Sequence, residues 1–184
     1  MDSAIPDAPA SSLVVMGVSG CGKSSVGAAC AQLLGWALEE GDSHHASESI
    51  AKMRAGTPLT DADRAGWLDR LGGLLAAPDQ RQGMVLTCSA LRRAYRERLR
   101  AARPGLGFAF LALDYGQALK RVQARPGHFF SPALVADQFA TLEPPLHEPR
   151  VLLLDATRPV AELAGAIAAW ARAGMPASFP HETL

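Results

Sequence analysis

Lysine is scarce in this chain. There are three, Lys23, Lys52 and Lys120, so most of the basic charge is arginine. Arginine presents a planar fork that suits carboxylate and phosphate. Neither sign of charge is in excess, with 18 basic and 18 acidic residues. A neutral chain has no general field to gather nucleic acid or an anionic membrane, so an anionic ligand must be held by a local site. The two tyrosines offer little aromatic platform for nucleic acid. Three cysteines, Cys21, Cys30 and Cys88, form an odd and widely spaced set. That excludes a disulfide framework and a zinc pattern. No apolar run approaches the roughly 20 residues needed to cross a bilayer. Residues 1–12 have neither a basic start nor an apolar stretch and do not read as a signal peptide. The expected compartment is a reducing cytoplasm, with no nucleic-acid or membrane partner.

What is present suits one domain: 184 residues, 48% of them hydrophobic. Four short apolar runs, at 13–16, 85–88, 108–113 and 151–154, read as buried strands, and a weaker fifth lies at 36–39. Continuous rather than alternating apolarity fits strands covered on both faces, as in a parallel sheet. Helical patterns fall between them. Val26, Cys30, Leu33 and Leu34 share one helix face, with Gly35 as its stop. Leu91, Tyr95 and Leu99 repeat at four-residue spacing, ending at Pro104 and Gly105. Val160, Leu163, Ala164, Ile167, Trp170 and Ala171 mark a last amphipathic helix that closes near Gly174. The alternation predicts a three-layer α/β fold. Its domain is expected at 13–174, between loose tails at 1–12 and 175–184.

The sharpest signal is Gly17-Val18-Ser19-Gly20-Cys21-Gly22-Lys23-Ser24, which meets the phosphate-loop pattern G-x-x-x-x-G-K-[ST] in full. Glycines let backbone N–H groups close on phosphate, and the helix that follows offers its positive end to the anion. Lys23 is placed to reach the β- and γ-phosphates, and the Ser24 hydroxyl to bind Mg²⁺. Gly17, Ser19, Gly20, Cys21, Gly22, Lys23, Ser24 and Ser25 are the candidate nucleotide-binding residues, with Cys21 as a small filler.

A phosphate loop serves switches, motors and kinases alike. A GTPase switch needs a D-x-x-G element together with base-reading loops, and no convincing copy is present. A motor ATPase is usually longer, with an acidic strand end for the metal; Asp155 ends such a run but comes late. A small-molecule kinase fits the length best. A regulator that binds nucleotide without an acceptor is the alternative from another class.

Downstream stretches resemble the gluconate kinases. They are Gly41-Asp42-Ser43-His44-His45 with Lys52-Met53; Gly56-Thr57-Pro58-Leu59-Thr60-Asp61-Ala62-Asp63-Arg64 with Trp67-Leu68; Cys88-Ser89-Ala90-Leu91-Arg92-Arg93 with Tyr95-Arg96; Arg121 and Arg125 leading into Gly127-His128-Phe129-Phe130; and Gln138-Phe139 with Leu142-Glu143-Pro144. With the phosphate loop they cover most of 13–155 in family order. The chain departs from that pattern at Ala46, Ser49 and Asp137, where the family usually has proline, asparagine and serine.

The resemblance implies an adenylate-kinase-like phosphate-loop fold, with a five-stranded parallel sheet, helices on both faces and a mobile lid at about 116–135. It implies ATP and Mg²⁺, transfer to the C6 hydroxyl of D-gluconate, and a homodimer. The rival acceptors are a shikimate-like acid or a nucleotide.

Asp42 follows the weak strand, where an Asp either starts a turn or caps the next helix or, as the resemblance implies, orients the attacking hydroxyl and takes its proton late in transfer. Arg121 and Arg125, four residues apart, share a helix face and are expected to contact phosphate. His45, Arg64, Arg92 and His128 are candidate acceptor contacts. Arg96 shares a face with Arg92 and reads as either a solvated flank or a substrate contact. Met53 reads as core, Trp67 as packing, and Phe129 and Phe130 as lid residues that exclude water.

Overall fold

A computed structural model describes residues 12–77, 83–124 and 131–176. Strands β1 (Leu13–Met16), β2 (Ala37–Glu40), β3 (Met84–Cys88), β4 (Gly107–Ala112) and β5 (Val151–Asp155) form one sheet in the order β2-β3-β1-β4-β5. Every pairing is parallel. Helices α1 (Lys23–Leu34), α2 (Ser47–Arg54), α3 (Asp61–Ala76), α4 (Arg93–Ala102), α5 (Tyr115–Gln123), α6 (Pro132–Thr141) and α7 (Val160–Arg172) connect them, and one 3₁₀ turn spans Gly41–His44.

Strand side chains alternate between faces, and here both faces are apolar. Leu13, Val15, Val85, Ala109, Leu111, Leu152 and Leu154 enter one layer with Val26 and Cys30 of α1 and Ile167 and Trp170 of α7. Val14, Met16, Leu86, Cys88, Phe108 and Phe110 enter the other with Trp67 and Leu71 of α3 and Tyr95 and Leu99 of α4. Each fully buried aliphatic or aromatic chain contributes roughly 1.5–3 kcal/mol. This two-sided burial produces the continuous apolar runs of the sequence. β2 is the exception: it lies on the sheet edge with a polar, half-exposed sequence, so its signal is weak.

Several expectations shift by a residue or a role. The fifth strand starts after Trp36, which packs instead against the α1–α7 layer. On α1 the inward stripe is Val26, Gly27, Cys30 and Ala31; Leu33 is 48% exposed, because only Leu34 still turns toward the core in the last turn. α4 begins at Arg93, so Leu91 is buried in the preceding turn, on the opposite layer from Tyr95 and Leu99. Val160, the first residue of α7, is exposed. The domain also takes in residues expected in the tails. Ser12 is fully buried, its hydroxyl accepting the Met84 N–H at 3.1 Å and its carbonyl accepting that of Gly107. Met175 is fully buried as well. The rest of the expected tails, residues 1–11 and 177–184, lies outside the described residues. The expected lid takes in most of α5 and the start of α6, and its middle, 125–130, lies outside them too.

The segment after α6 is pinned by a buried ionic cluster. Glu148 bonds Arg96 at 2.5 Å and Arg100 at 2.8 Å, and the Arg100 guanidinium stacks over Phe108 at 4.6 Å. Burial acts to raise the Glu148 carboxyl, but hydrogen bonds from Arg96 and Arg100 outweigh it and hold the pKa below the ordinary 4.5. Such a carboxylate stabilises the fold above its ordinary pKa, and that stabilisation is lost as pH falls through the lowered value. Glu148→Ala is expected to cost about 3 kcal/mol near neutral pH, because it strands buried arginine charge. Denaturation followed by circular dichroism should show the gap to wild type closing once pH falls below 4.5.

Candidate active site

Three consecutive strands in the sheet, β1, β2 and β3, deliver the site at their carboxyl ends, where open parallel sheets bind ligands. A cleft of about 460 Å³ opens there. Its floor is the phosphate loop, with Ser19, Gly20, Gly22, Lys23 and Ser24 on the surface. Gly17 has φ +144°, and a Cβ there would lie 2.8 Å from both the Cys21 sulfur and the Leu111 carbonyl oxygen. A side chain at position 17 would therefore spring the loop open. Cys21 is buried beneath it as filler. Lys23 opens α1 and donates to its own loop at Val18 O, 3.1 Å away. The Ser19 N–H donates to the side chain of Gln138 on α6 at 2.7 Å.

The second wall comes from β2. Gly41 is required by close approach: a Cβ there would lie 2.3 Å from the Thr87 carbonyl oxygen of β3. That contact lets Glu40 and Asp42 flank the end of β3. The Glu40 carboxylate accepts hydrogen bonds from the Ser24 hydroxyl at 3.1 Å and the Thr87 hydroxyl at 2.5 Å. Asp42 projects into the cleft with its side chain 80% exposed. His45 lies behind it, with Nε2 4.0 Å from the Asp42 carboxylate and the side chain 6% exposed. The imidazole stacks on Trp67 at 4.3 Å, and the Trp67 N–H donates to Gly41 O at 2.7 Å. Burial lowers the His45 pKa, opposed by Asp42 and reinforced by Arg64 and Arg70. The ring is therefore neutral at pH 7, and its buried Nδ1 has no hydrogen-bond partner.

Arg64 reaches the same cleft from α3 and donates to the Tyr95 hydroxyl at 3.3 Å. Tyr95 in turn bonds Asp61, which also pairs with Arg92 at 2.9 Å. Arg92 is thus spent on Asp61 and does not line the cleft. Arg121 lies beside the loop rather than in the cleft, donating to Gly20 O at 3.3 Å and Ala156 O at 3.0 Å. Ser25, on the exposed side of α1, is not on the cleft wall either. Arg125 and His128, with Phe129 and Phe130, lie outside the described residues. Met53 lines the cleft half-buried instead of joining the core. Arg96 is neither solvated nor in the cleft, being fully buried. Asp155 turns its carboxylate to the Thr157 N–H at 2.8 Å, away from Ser24.

Two contributors escaped the sequence reading. Glu40 was open to notice as an acid at the end of β2, two residues before Asp42 in the 3₁₀ turn. Gln138 carried no such signal, because only folding lays α6 on the loop. Among the described residues no cluster of three or more His, Cys, Asp or Glu side chains is arranged to hold a metal. Mg²⁺ asks less, usually one or two protein oxygens with water and phosphate completing the shell, and the Ser24 hydroxyl and Glu40 carboxylate meet that demand.

A phosphate loop on a five-stranded parallel sheet, facing a carboxylate and an arginine across one cleft, defines a phosphate-loop kinase. No protein-family model matches the chain. A gluconokinase of Gluconobacter oxydans is 46% identical over 134 residues, covering 72% of this chain and 75% of its own. The thermoresistant gluconokinase of Escherichia coli is 40% identical, covering 80% and 85%. Among solved structures, a gluconokinase from Sinorhizobium meliloti superposes with a TM-score of 0.78 at 44% identity, covering 91% of each chain. A shikimate kinase from Aquifex aeolicus, at 13% identity and a TM-score of 0.52, shares the fold alone. The chain belongs to the gluconokinase family. Among the described residues no helix is long and apolar enough to cross a membrane.

The close approach at Gly41 yields a direct test. Gly41→Ala forces β2 off the end of β3 and carries Asp42 with it. Overpacking of this kind costs about 1–3 kcal/mol. A drop in melting temperature together with a loss of kcat/KM is expected; unchanged kinetics would mean that Asp42 does not depend on that approach.

Proposed function

We propose that this chain transfers the γ-phosphoryl group of ATP to the C6 hydroxyl of D-gluconate, giving 6-phospho-D-gluconate and ADP. The observation that carries the reading is the placement of Asp42 on the wall facing Lys23, beside neutral His45 and Arg64. The names of the relatives supply the acceptor.

In this reading the loop N–H groups and Lys23 take the β- and γ-phosphates, and Gln138 gives up the Ser19 N–H to the nucleotide. Ser24 and Glu40 hold Mg²⁺, which when bound neutralises phosphate charge. The Asp42 carboxylate accepts a hydrogen bond from the acceptor hydroxyl and turns its lone pair toward phosphorus. The new P–O bond forms as the bond to the ADP oxygen breaks, and the hydroxyl proton passes to Asp42 late in transfer. Arg64 offers a cation to the gluconate carboxylate. His45, on the same wall behind Asp42, is the candidate contact for an acceptor hydroxyl. Arg121 bears on phosphate through the loop, by gripping Gly20. Arg92 orders Asp61 and Tyr95 behind Arg64. Arg125 and His128 belong to the reading on sequence alone. So do the lid at about 116–135, the single domain at 13–174, the cytoplasmic location and the homodimer, whose mass sedimentation would give.

The deciding measurement is ADP release with ATP, Mg²⁺ and a panel of D-gluconate, shikimate, other sugar acids and nucleoside monophosphates. Gluconate-dependent release is expected, and its loss on chelation of Mg²⁺. Turnover of another acceptor instead would move the substrate, and nucleotide binding without any acceptor would leave a regulator. Asp42→Asn is expected to lower kcat by about 10²–10⁴-fold, the usual share of a general base, with little change in ATP affinity. Lys23→Ala is expected to lower kcat by about 10²-fold or more through lost charge stabilisation, with an unaltered circular dichroism spectrum.

A further inference from the structure

β3 enters α4 through a tight turn at residues 89–92. Ser89, the first residue of that turn, lies on the cleft wall with Asp42. Ala90, the second, is fully buried and has φ +46°. A residue with a Cβ rarely takes this left-handed conformation and keeps it only where its surroundings enforce it. The enforcing group is visible: the Ala90 carbonyl accepts from Arg96 at 2.7 Å.

Arg96 is buried completely and uses all five of its N–H donors. One nitrogen serves Ala90 O and Leu91 O, the latter at 3.1 Å. A second serves Glu143 O at 2.9 Å and Glu148 at 2.5 Å. The Nε–H is shared by the two Glu148 oxygens. The Leu91 carbonyl also takes the Glu143 N–H at 2.8 Å. One guanidinium thus binds the turn that presents Ser89 to the segment that returns from α6. An apolar side chain of equal volume would fill this space, and buried ion pairs are often replaceable in that way for stability alone. It would leave three carbonyls without this donor and nothing to hold Ala90 left-handed.

We propose that Arg96 is a positioning residue for the acceptor: it locks the left-handed turn at Ala90 and so sets the Ser89 hydroxyl against the sugar acid. This rests on reading the Asp42 wall as the acceptor site. Arg96→Lys keeps the charge but supplies donors from a single nitrogen. It is expected to raise the gluconate KM about tenfold, the size of one lost hydrogen bond, while the ATP KM stays near wild type. Ala90→Gly added to Arg96→Lys is expected to bring the gluconate KM back toward wild type, because glycine takes positive φ without a restraint. Ser89→Ala, which leaves the strut intact, is expected to raise the gluconate KM by a similar factor and to add little to Arg96→Lys. Amide hydrogen exchange at residues 90–92 of the ligand-free protein is expected to speed up in Arg96→Lys. A gluconate KM untouched by Ser89→Ala, equal rises in both KM values, or wild-type exchange at the turn would overturn the proposal. Wild-type turnover of gluconate is read separately; a different acceptor in the panel would replace gluconate in the same KM comparison.

Discussion

Side chains that alternate between two apolar layers hold β1, β3 and β4 in register, and the cleft is built outward from the ends of those strands. Leu13, Val85 and Gly107 lie side by side in the sheet. The phosphate loop therefore leaves β1 at the level where Ser89 leaves β3. β2 joins this array with little apolar burial of its own. Its position is set instead by backbone pairing to β3 and by the absence of a side chain at Gly41.

Charge within this frame is arranged by depth. At the surface of the cleft, Lys23, Asp42 and Arg64 line open space. Beside them, still in contact with solvent, Asp61 pairs with Tyr95 and Arg92. Deepest are Arg96, Arg100 and Glu148, joined in one ionic cluster in which Arg96 commits every donor to protein partners. Arginine suits each level for a different reason, exposed charge in one case and a forked set of donors in the other. The scarcity of lysine thus has a structural counterpart, since a single ammonium nitrogen would not do what the Arg96 fork does.

Two donors of the phosphate loop are bonded within the protein. Gln138 caps the Ser19 N–H, and Lys23 folds onto Val18. Both contacts are single hydrogen bonds, each contributing about 1 kcal/mol net. A polyphosphate that offers several charged acceptors to the same donors outcompetes them.

The parallel α/β class, the phosphate loop and Asp42 were legible in the amino-acid order, because each depends on neighbours along the chain: apolar runs, glycine spacing, an acid after a strand. The motif run from Gly41 to Trp67 carried the family in the same way. The β2 boundary and the exposure of Leu33 were less legible, since both turn on which side of an element its neighbours cover. Glu40 as a partner of Ser24, Gln138 on the loop and the spending of Arg92 on Asp61 were decided only in three dimensions. Arg96 shows the reason. From its spacing it resembles a helix-surface arginine, and its role comes from carbonyls five, six and 47 residues away, brought together by the fold.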